Sequence, residues 1–200
     1  VEVRIIGIDD GEVATMDDAE VLPVGEIGEV VARSPHISDH YYQAPKDMAE
    51  NKIADGDTRW HRLGDTGKLD EKGRLWVCGR RSHRVVLPGK TYFPLCCEPV
   101  FNTHPEVVRT ALVGPRDGAT VGPDGKPVVL APVVVVETLP ESRVHRSRIE
   151  AELREMAERH ESTRGIERFV FLDVLPVDRR HNAKIDRPAL AAQVADGTIT

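Results

Sequence analysis

Leu75-Trp76-Val77-Cys78-Gly79-Arg80-Arg81-Ser82-His83-Arg84 is the stretch at which this chain changes character. On its N-terminal side the pattern is one of short strands and glycine turns. Glu71-Lys72-Gly73-Arg74 reads as a hairpin turn, since glycine accepts the positive φ that such a turn needs, and residues 75–78 are then the return strand. Further upstream, residues 1–6 alternate as a strand does, residues 25–32 form another, and Gly7, Gly11, Gly25 and Gly28 punctuate them. A short helix is expected over 41–54. On the C-terminal side strands and helices alternate. Residues 84–87 are a short strand and Pro88-Gly89 a turn. Pro94 opens a helix that ends by His104-Pro105. The β-branched runs 107–113 and 128–136 are long enough for buried strands, with an exposed Gly-, Pro- and Asp-rich loop over 114–127 between them. A helix is predicted over 142–161 with Ser142 as N-cap and Val144, Ile149, Leu153 and Met156 near one face. A strand over 166–175 and a helix over 186–195 complete the chain. The fold class is therefore α+β: a β-rich subdomain over residues 1–79, then a small α/β domain over residues 80–200 with a short mixed sheet and flanking helices.

The 200 residues are 40% hydrophobic and 30% charged, a globular balance. A net charge of −6 disfavours broad binding to nucleic acid or to anionic membranes. The longest apolar run is about half the ~20 residues of a membrane span, so no transmembrane segment is expected. Three cysteines, Cys78, Cys96 and Cys97, have neither disulfide-framework nor CxxC spacing and point to a reducing, cytoplasmic setting. The chain begins at Val1, already in a strand pattern, which points to part of a longer protein.

Three segments carry candidate chemistry. In Arg62-Leu63-Gly64-Asp65-Thr66-Gly67, a carboxylate in a glycine-flanked turn can accept two hydrogen bonds from the vicinal hydroxyls of a ribose. The same spacing also suits an aspartate that satisfies its own turn backbone. Gly79-Arg80-Arg81-Ser82-His83-Arg84 sets four basic or titratable side chains in six residues, suited to a phosphate or to a solvated strand edge. In Arg179-Arg180-His181-Asn182-Ala183-Lys184, a lysine beside small residues can reach into a neighbouring site and neutralise charge developing in acyl or phosphoryl transfer. Cations just before a helix oppose its dipole, a placement that stability alone does not favour. His36 and His40 are four apart without an evident third ligand, so no metal site is assigned. Cys96 and Cys97 read as packing residues, and no glycine-rich phosphate loop occurs.

Taken in order, these segments resemble the C-terminal part of an adenylate-forming enzyme, the superfamily of acyl-CoA synthetases, luciferases and adenylation domains. Gly25-Glu26-Ile27-Gly28-Glu29 resembles its GExGE strand, Arg62-Leu63-Gly64-Asp65 its TGD ribose motif and Gly79-Arg80-Arg81-Ser82 its GRxD hinge. Pro94…Glu98…His104-Pro105…Val108…Ala111-Leu112-Val113-Gly114 follows the P-x-E-I-E…HP-x-V…VVG pattern, and Lys184 falls at the catalytic lysine. Trp76-Val77-Cys78-Gly79-Arg80, Glu98-Pro99-Val100-Phe101-Asn102, Arg109-Thr110-Ala111-Leu112-Val113-Gly114 and Pro176-Val177-Asp178…Arg180-His181-Asn182-Ala183-Lys184-Ile185 are similar to one branch, the β-lactone synthetases of bacterial long-chain olefin biosynthesis.

The resemblance implies a distorted-barrel subdomain at the end of a large N-terminal domain, followed by a mobile lid that pivots at Ser82. It implies ATP as cofactor, with Mg²⁺ held mainly by the preceding N-terminal domain. Asp65 would hold the ribose, Arg80 would assist at ribose or phosphate, and Lys184 would stabilise the departing pyrophosphate. His181 would take a proton from a 3-hydroxyl. The implied partners are a fatty-acyl or 3-hydroxy fatty acid substrate, the N-terminal domain and other olefin-pathway enzymes. The chain departs from the superfamily at Ser82, Cys96, Ala183 and Thr91, changes that fit internal ring closure better than thioester formation. A fatty-acyl-CoA synthetase lid and a non-catalytic binding module remain as alternatives, and the 200 residues alone are expected to be inactive.

Overall fold

The computed structural model describes residues 1–114, 120–121, 127–128, 131–178 and 184–199. The chain separates into two compact units, Val1–Ser82 and His83–Thr200, three residues beyond the boundary expected after residue 79.

The first unit is built on one antiparallel sheet. Its strands are β1 (Glu2–Ile6), β2 (Gly28–Arg33), β3 (Lys52–Asp55), β4 (Thr58–Leu69) and β5 (Leu75–Arg80), with the short helix α1 (Pro45–Asn51) before β3. The order is β1-β2-β4-β3, and β5 also pairs with β4. The twelve-residue β4 serves three partners along its length: β3 at its start, β2 in the middle and β5 at its end. The sheet stays open, so the distorted-barrel expectation is corrected to an open five-stranded sheet. The helix expected over 41–54 is also shorter. Residues 52–55 are extended because Ile53 pairs with Trp60 across the β3–β4 hairpin, and both side chains are buried. The turn between β4 and β5 holds Gly73 at φ +72°. The unit's core gathers Ile6, Val13, Met16, Val31, Ile53 and Trp60.

Beneath this sheet lies a charge that cannot reach water. Glu29 on β2 and Arg62 on β4 have side chains 0% and 1% exposed. Arg62 donates Nε to Oε1 at 3.0 Å and Nη2 to Oε2 at 2.7 Å, a bidentate pair, and Nη1 also donates to the carbonyls of Gly11 and Glu50. Arg81 adds a third charge, donating to Glu29 Oε2 at 3.1 Å and to the Asp9 carbonyl.

The second unit opens with the hairpin β6 (Val85–Leu87) and β7 (Lys90–Tyr92), then α2 (Pro94–Phe101) and β8 (Val107–Val113). A two-strand ladder, β9 (Thr120–Val121) and β10 (Pro127–Val128), precedes β11 (Val133–Thr138), α3 (Arg146–Arg159), β12 (Arg168–Leu172) and α4 (Arg187–Ala195). The central sheet is mixed, ordered β12-β11-β8, with β11 parallel to β12 and antiparallel to β8. Alternation along β11 makes two cores. Val134 and Val136 face α2 and α3 through Cys97, Phe101, Ile149 and Leu153, while Val133 and Val135 face α4 through Leu190 and Val194. Burial on both faces explains the unbroken valine run.

Three expectations are corrected here. The run 128–136 is not one strand: β11 begins only after Pro132, which has no N–H to give a ladder. The strand expected over 166–175 spans only Arg168–Leu172. Ser142 is not an N-cap but is buried within a 3₁₀ turn, Pro140–His145, ahead of α3. Three residues per turn there, against 3.6 in α3, breaks the phase of the apolar stripe, and Val144 stands 83% exposed. Among the described residues no helix is long and apolar enough to cross a membrane.

Arg62→Ala leaves Glu29 buried beside a single remaining arginine. It is expected to cost about 3–5 kcal/mol in urea unfolding. Arg154→Ala, which breaks an exposed pair on α3, should cost under about 1 kcal/mol.

Candidate functional site

In the first unit, Asp65 and Arg80 sit opposite each other on β4 and β5. Arg80 Nε lies 3.4 Å from Asp65 Oδ1, and the side chains are 54% and 34% exposed. Arg80 Nη1 donates to the Leu63 carbonyl at 2.9 Å, across the backbone that Gly64 turns at φ +69°. Asp65 differs instructively from Asp70. The Asp70 carboxylate accepts the backbone N–H groups of Lys72 and Arg74, Nε1 of Trp76 and Nε of Arg74. Those bonds, the Trp76 indole first, hold its pKa down at about 2. Asp70 is thus the aspartate that satisfies its own turn. Among the described residues Asp65 accepts no backbone hydrogen bond, so its carboxylate keeps lone pairs for an outside donor such as a pair of vicinal hydroxyls.

The basic segment 79–84 does not form one patch. Arg80 lies on Asp65, Arg81 turns in to Glu29, and Arg84 is buried. Ser82, the expected pivot, is exposed in a 3₁₀ turn, Arg81–His83, and is the last residue of the first unit.

In the second unit, Lys184 is exposed and lines a cleft of about 730 Å³ with His83, Pro176, Val177, Asp178, Ile185, Asp186 and Pro188. Its backbone is pinned. The Asp178 N–H donates to the Lys184 carbonyl at 2.8 Å, Val177 bridges Ile185, and the Asp186 N–H donates to the Pro176 carbonyl at 2.9 Å. Asp186 caps α4 by accepting from the Ala189 N–H at 3.1 Å, and Pro188 occupies the first turn. This carboxylate supplies the negative charge that the helix dipole favours, beside a lysine that the dipole does not. His181 lies outside the described residues, as do Arg179, Arg180, Asn182 and Ala183.

Among the described residues one group has metal-ligand spacing: His104, Glu106 and Glu152. His104 Nδ1 accepts the Glu106 N–H, and Nε2 meets Glu152 Oε2 at 2.7 Å. The Arg148 guanidinium lies on both carboxylates and holds each below the ordinary carboxylate range, helped at Glu106 by Ser142 and led at Glu152 by His104. That is a closed ion-pair network, since the cation's place is taken. Cys97 is no nucleophile: it is buried, and burial pushes its thiol up to about 12. The residues that sequence reading passed over are Glu137 and Arg187, whose partners lie far along the chain.

No protein-family model matches the chain. It is 40% identical to an olefin β-lactone synthetase of Xanthomonas campestris over 99% of its own length and 35% of that protein's. It is 43% identical to one of Stenotrophomonas maltophilia over 95% and 34%. The chain thus spans about a third of the length of these curated relatives. Among solved structures, the amide bond synthetase McbA of Marinactinospora thermotolerans superposes at a TM-score of 0.70 with 26% identity, over 96% of this chain and 34% of that one. The O-succinylbenzoate coenzyme A synthetase of Bacillus subtilis, in complex with AMP, superposes at 0.67 with 24% identity, over 94% and 33%, and shows likeness of fold.

In the folded chain at about pH 8, Cys97 is expected to resist iodoacetamide and to react once urea unfolds it, as peptide mass mapping would read. Above the ordinary thiol pKa of 9.0 the unfolded chain loses this proton while the folded chain keeps it to about 12. Stability should therefore fall as pH climbs through that window, and Cys97→Ala should flatten the fall.

Proposed function

We propose that this chain, 40% and 43% identical to olefin β-lactone synthetases over nearly its whole length, is a C-terminal part of an adenylate-forming ligase and closes over bound ATP and a carboxylic acid to help form an acyl-adenylate. In that step a carboxylate oxygen attacks the α-phosphorus and pyrophosphate leaves. Asp65 accepts hydrogen bonds from the ribose hydroxyls, and Arg80 supports it from the neighbouring strand. Lys184 brings a compact positive charge to the bridging oxygens as negative charge develops there. Ser82 is the pivot that carries the lid. The observation that carries this reading is the exposed Lys184 side chain on a pinned backbone at the rim of a cleft.

The substrate proposed is a 2-alkyl-3-hydroxy fatty acid. Its 3-hydroxyl oxygen attacks the acyl carbon, the bond to the phosphate oxygen breaks, AMP leaves, and His181 takes the hydroxyl proton. The support is the 40% and 43% identity to olefin β-lactone synthetases over nearly the whole chain. Mg²⁺ is assigned to residues that precede this chain. The His104 group does not fit it, because Arg148 already neutralises the carboxylates and Mg²⁺ prefers an open octahedron of oxygens. The enzyme would act in the cytoplasm, beside other enzymes of olefin formation.

A second reading, a lid serving thioester formation, rests on the fold shared with a coenzyme A synthetase. The full-length enzyme given a 3-hydroxy acid separates the two. AMP release without CoA, with a neutral lactone as product, is expected; strict CoA dependence would favour the thioester. Lys184→Ala in the full-length enzyme should slow adenylation by about 10²–10³-fold. Unchanged adenylation would sink the assignment and favour a non-catalytic module. The 200 residues alone, mixed with radiolabelled ATP and a fatty acid, should release no AMP above blank.

A further inference from the structure

The segment that carries Lys184 has two feet, and each is gripped in the same way. At the first foot, Glu137 Oε2 on β11 accepts the Leu175 N–H at 2.8 Å. Arg109 on β8 donates Nε to the same oxygen at 2.8 Å and Nη2 to the Leu175 carbonyl at 3.3 Å. The second grip brackets Leu112 on β8. Glu98 Oε1 on α2 accepts the Leu112 N–H at 2.7 Å. Arg187 at the second foot donates Nη2 to Glu98 Oε2 at 2.9 Å and Nη1 to the Leu112 carbonyl at 3.2 Å. In both cases one carboxylate–guanidinium pair takes the N–H and the carbonyl of a single residue. The side chains are largely withdrawn from water: Glu98 7%, Arg187 15%, Glu137 12% and Arg109 29% exposed.

Between these grips the legs of the segment are laced by the Val177–Ile185 bridge and its two flanking hydrogen bonds. An exposed segment would ordinarily fray, and a lysine on a fraying loop has its charge spread over many positions. Here the register of the segment is tied to the β8–β11 sheet at both ends. Buried, hydrogen-bonded ion pairs hold geometry more firmly than surface pairs because letting go exposes an unpaired charge to a poor solvent.

We propose that Glu98–Arg187 and Arg109–Glu137 are a pair of positioning clamps that set where the Lys184 ammonium is delivered. The inference rests on the role assigned above to Lys184. With the backbone held, the ammonium travels only by its own stem or with the whole unit, so delivery and withdrawal are rigid-body events. The clamps touch no reacting atom. They act through Lys184.

The test uses the full-length enzyme and a double-mutant cycle on pyrophosphate exchange. Arg187→Lys keeps the charge but loses the two-pronged grip, and is expected to lower kcat about 10–100-fold with KM for ATP nearly unchanged. Arg109→Lys, at the less buried clamp, should act in the same direction, and decides the matter if the Arg187 variant does not fold. In a Lys184→Ala background neither substitution should slow exchange further. A clamp variant that keeps full kcat, or one whose loss recurs undiminished in the Lys184→Ala background, overturns the clamps while leaving the lysine's role intact. An unaffected Lys184→Ala single variant overturns the role itself.

Discussion

A carboxylate removed from water must be met by an opposite charge and by enough donors to fill its lone pairs. This chain obeys that constraint repeatedly, and its architecture follows from it. Glu29 lies beneath the sheet of the first unit and is met by Arg62 and Arg81. Glu98 and Glu137 lie at the edges of the second unit's cores and are met by Arg187 and Arg109. In each case the arginine's spare N–H groups go to backbone carbonyls, so one pair ties together side chains and the course of the main chain. Hydrophobic burial supplies the bulk of the driving force. The ion pairs decide which loops are held and where.

That division of labour suits the proposed chemistry. Arg80 and Lys184 are left exposed and Asp65 half-buried, with few or loose partners among the described residues. Their neighbours Arg62, Arg81 and Arg187 are turned inward and committed to the fold. A reactive group needs unsatisfied hydrogen-bonding capacity, whereas its support needs the opposite. In each unit the two kinds of residue stand within a few positions of each other along the chain, so committed charges steady the backbone that carries the available ones.

Much of this was legible locally. The hairpin turn at Gly73, the β-branched runs of β8 and β11, and the helix start at Asp186 with Pro188 in its first turn all follow from residue-by-residue stereochemistry. Two local readings failed because a distant or preceding element overruled them. Residues 52–55 are extended because a cross-strand partner, Trp60, is available to Ile53. Ser142 lost the capping position because Pro140 began a tighter turn first. At the candidate site, Asp65 was ambiguous in sequence between ribose acceptor and turn stabiliser. Among the described residues Asp65 accepts no backbone hydrogen bond, whereas Asp70 accepts two and has the turn role. His181 lies outside the described residues.

The amino-acid order by itself determined the α+β class, the change of pattern near residue 80 and which short motifs are candidates for chemistry, because these depend on side-chain periodicity and on neighbours a few residues apart. Only the tertiary structure decided that the first sheet stays open, that Arg81 faces inward, and that both feet of the Lys184 segment are held by paired charges. The reason is separation along the chain. Glu98 and Arg187 are 89 residues apart, and Arg109 and Glu137 are 28 apart. A charge pair at such spacing leaves no periodic trace, since its geometry exists only once the sheet between the partners has formed.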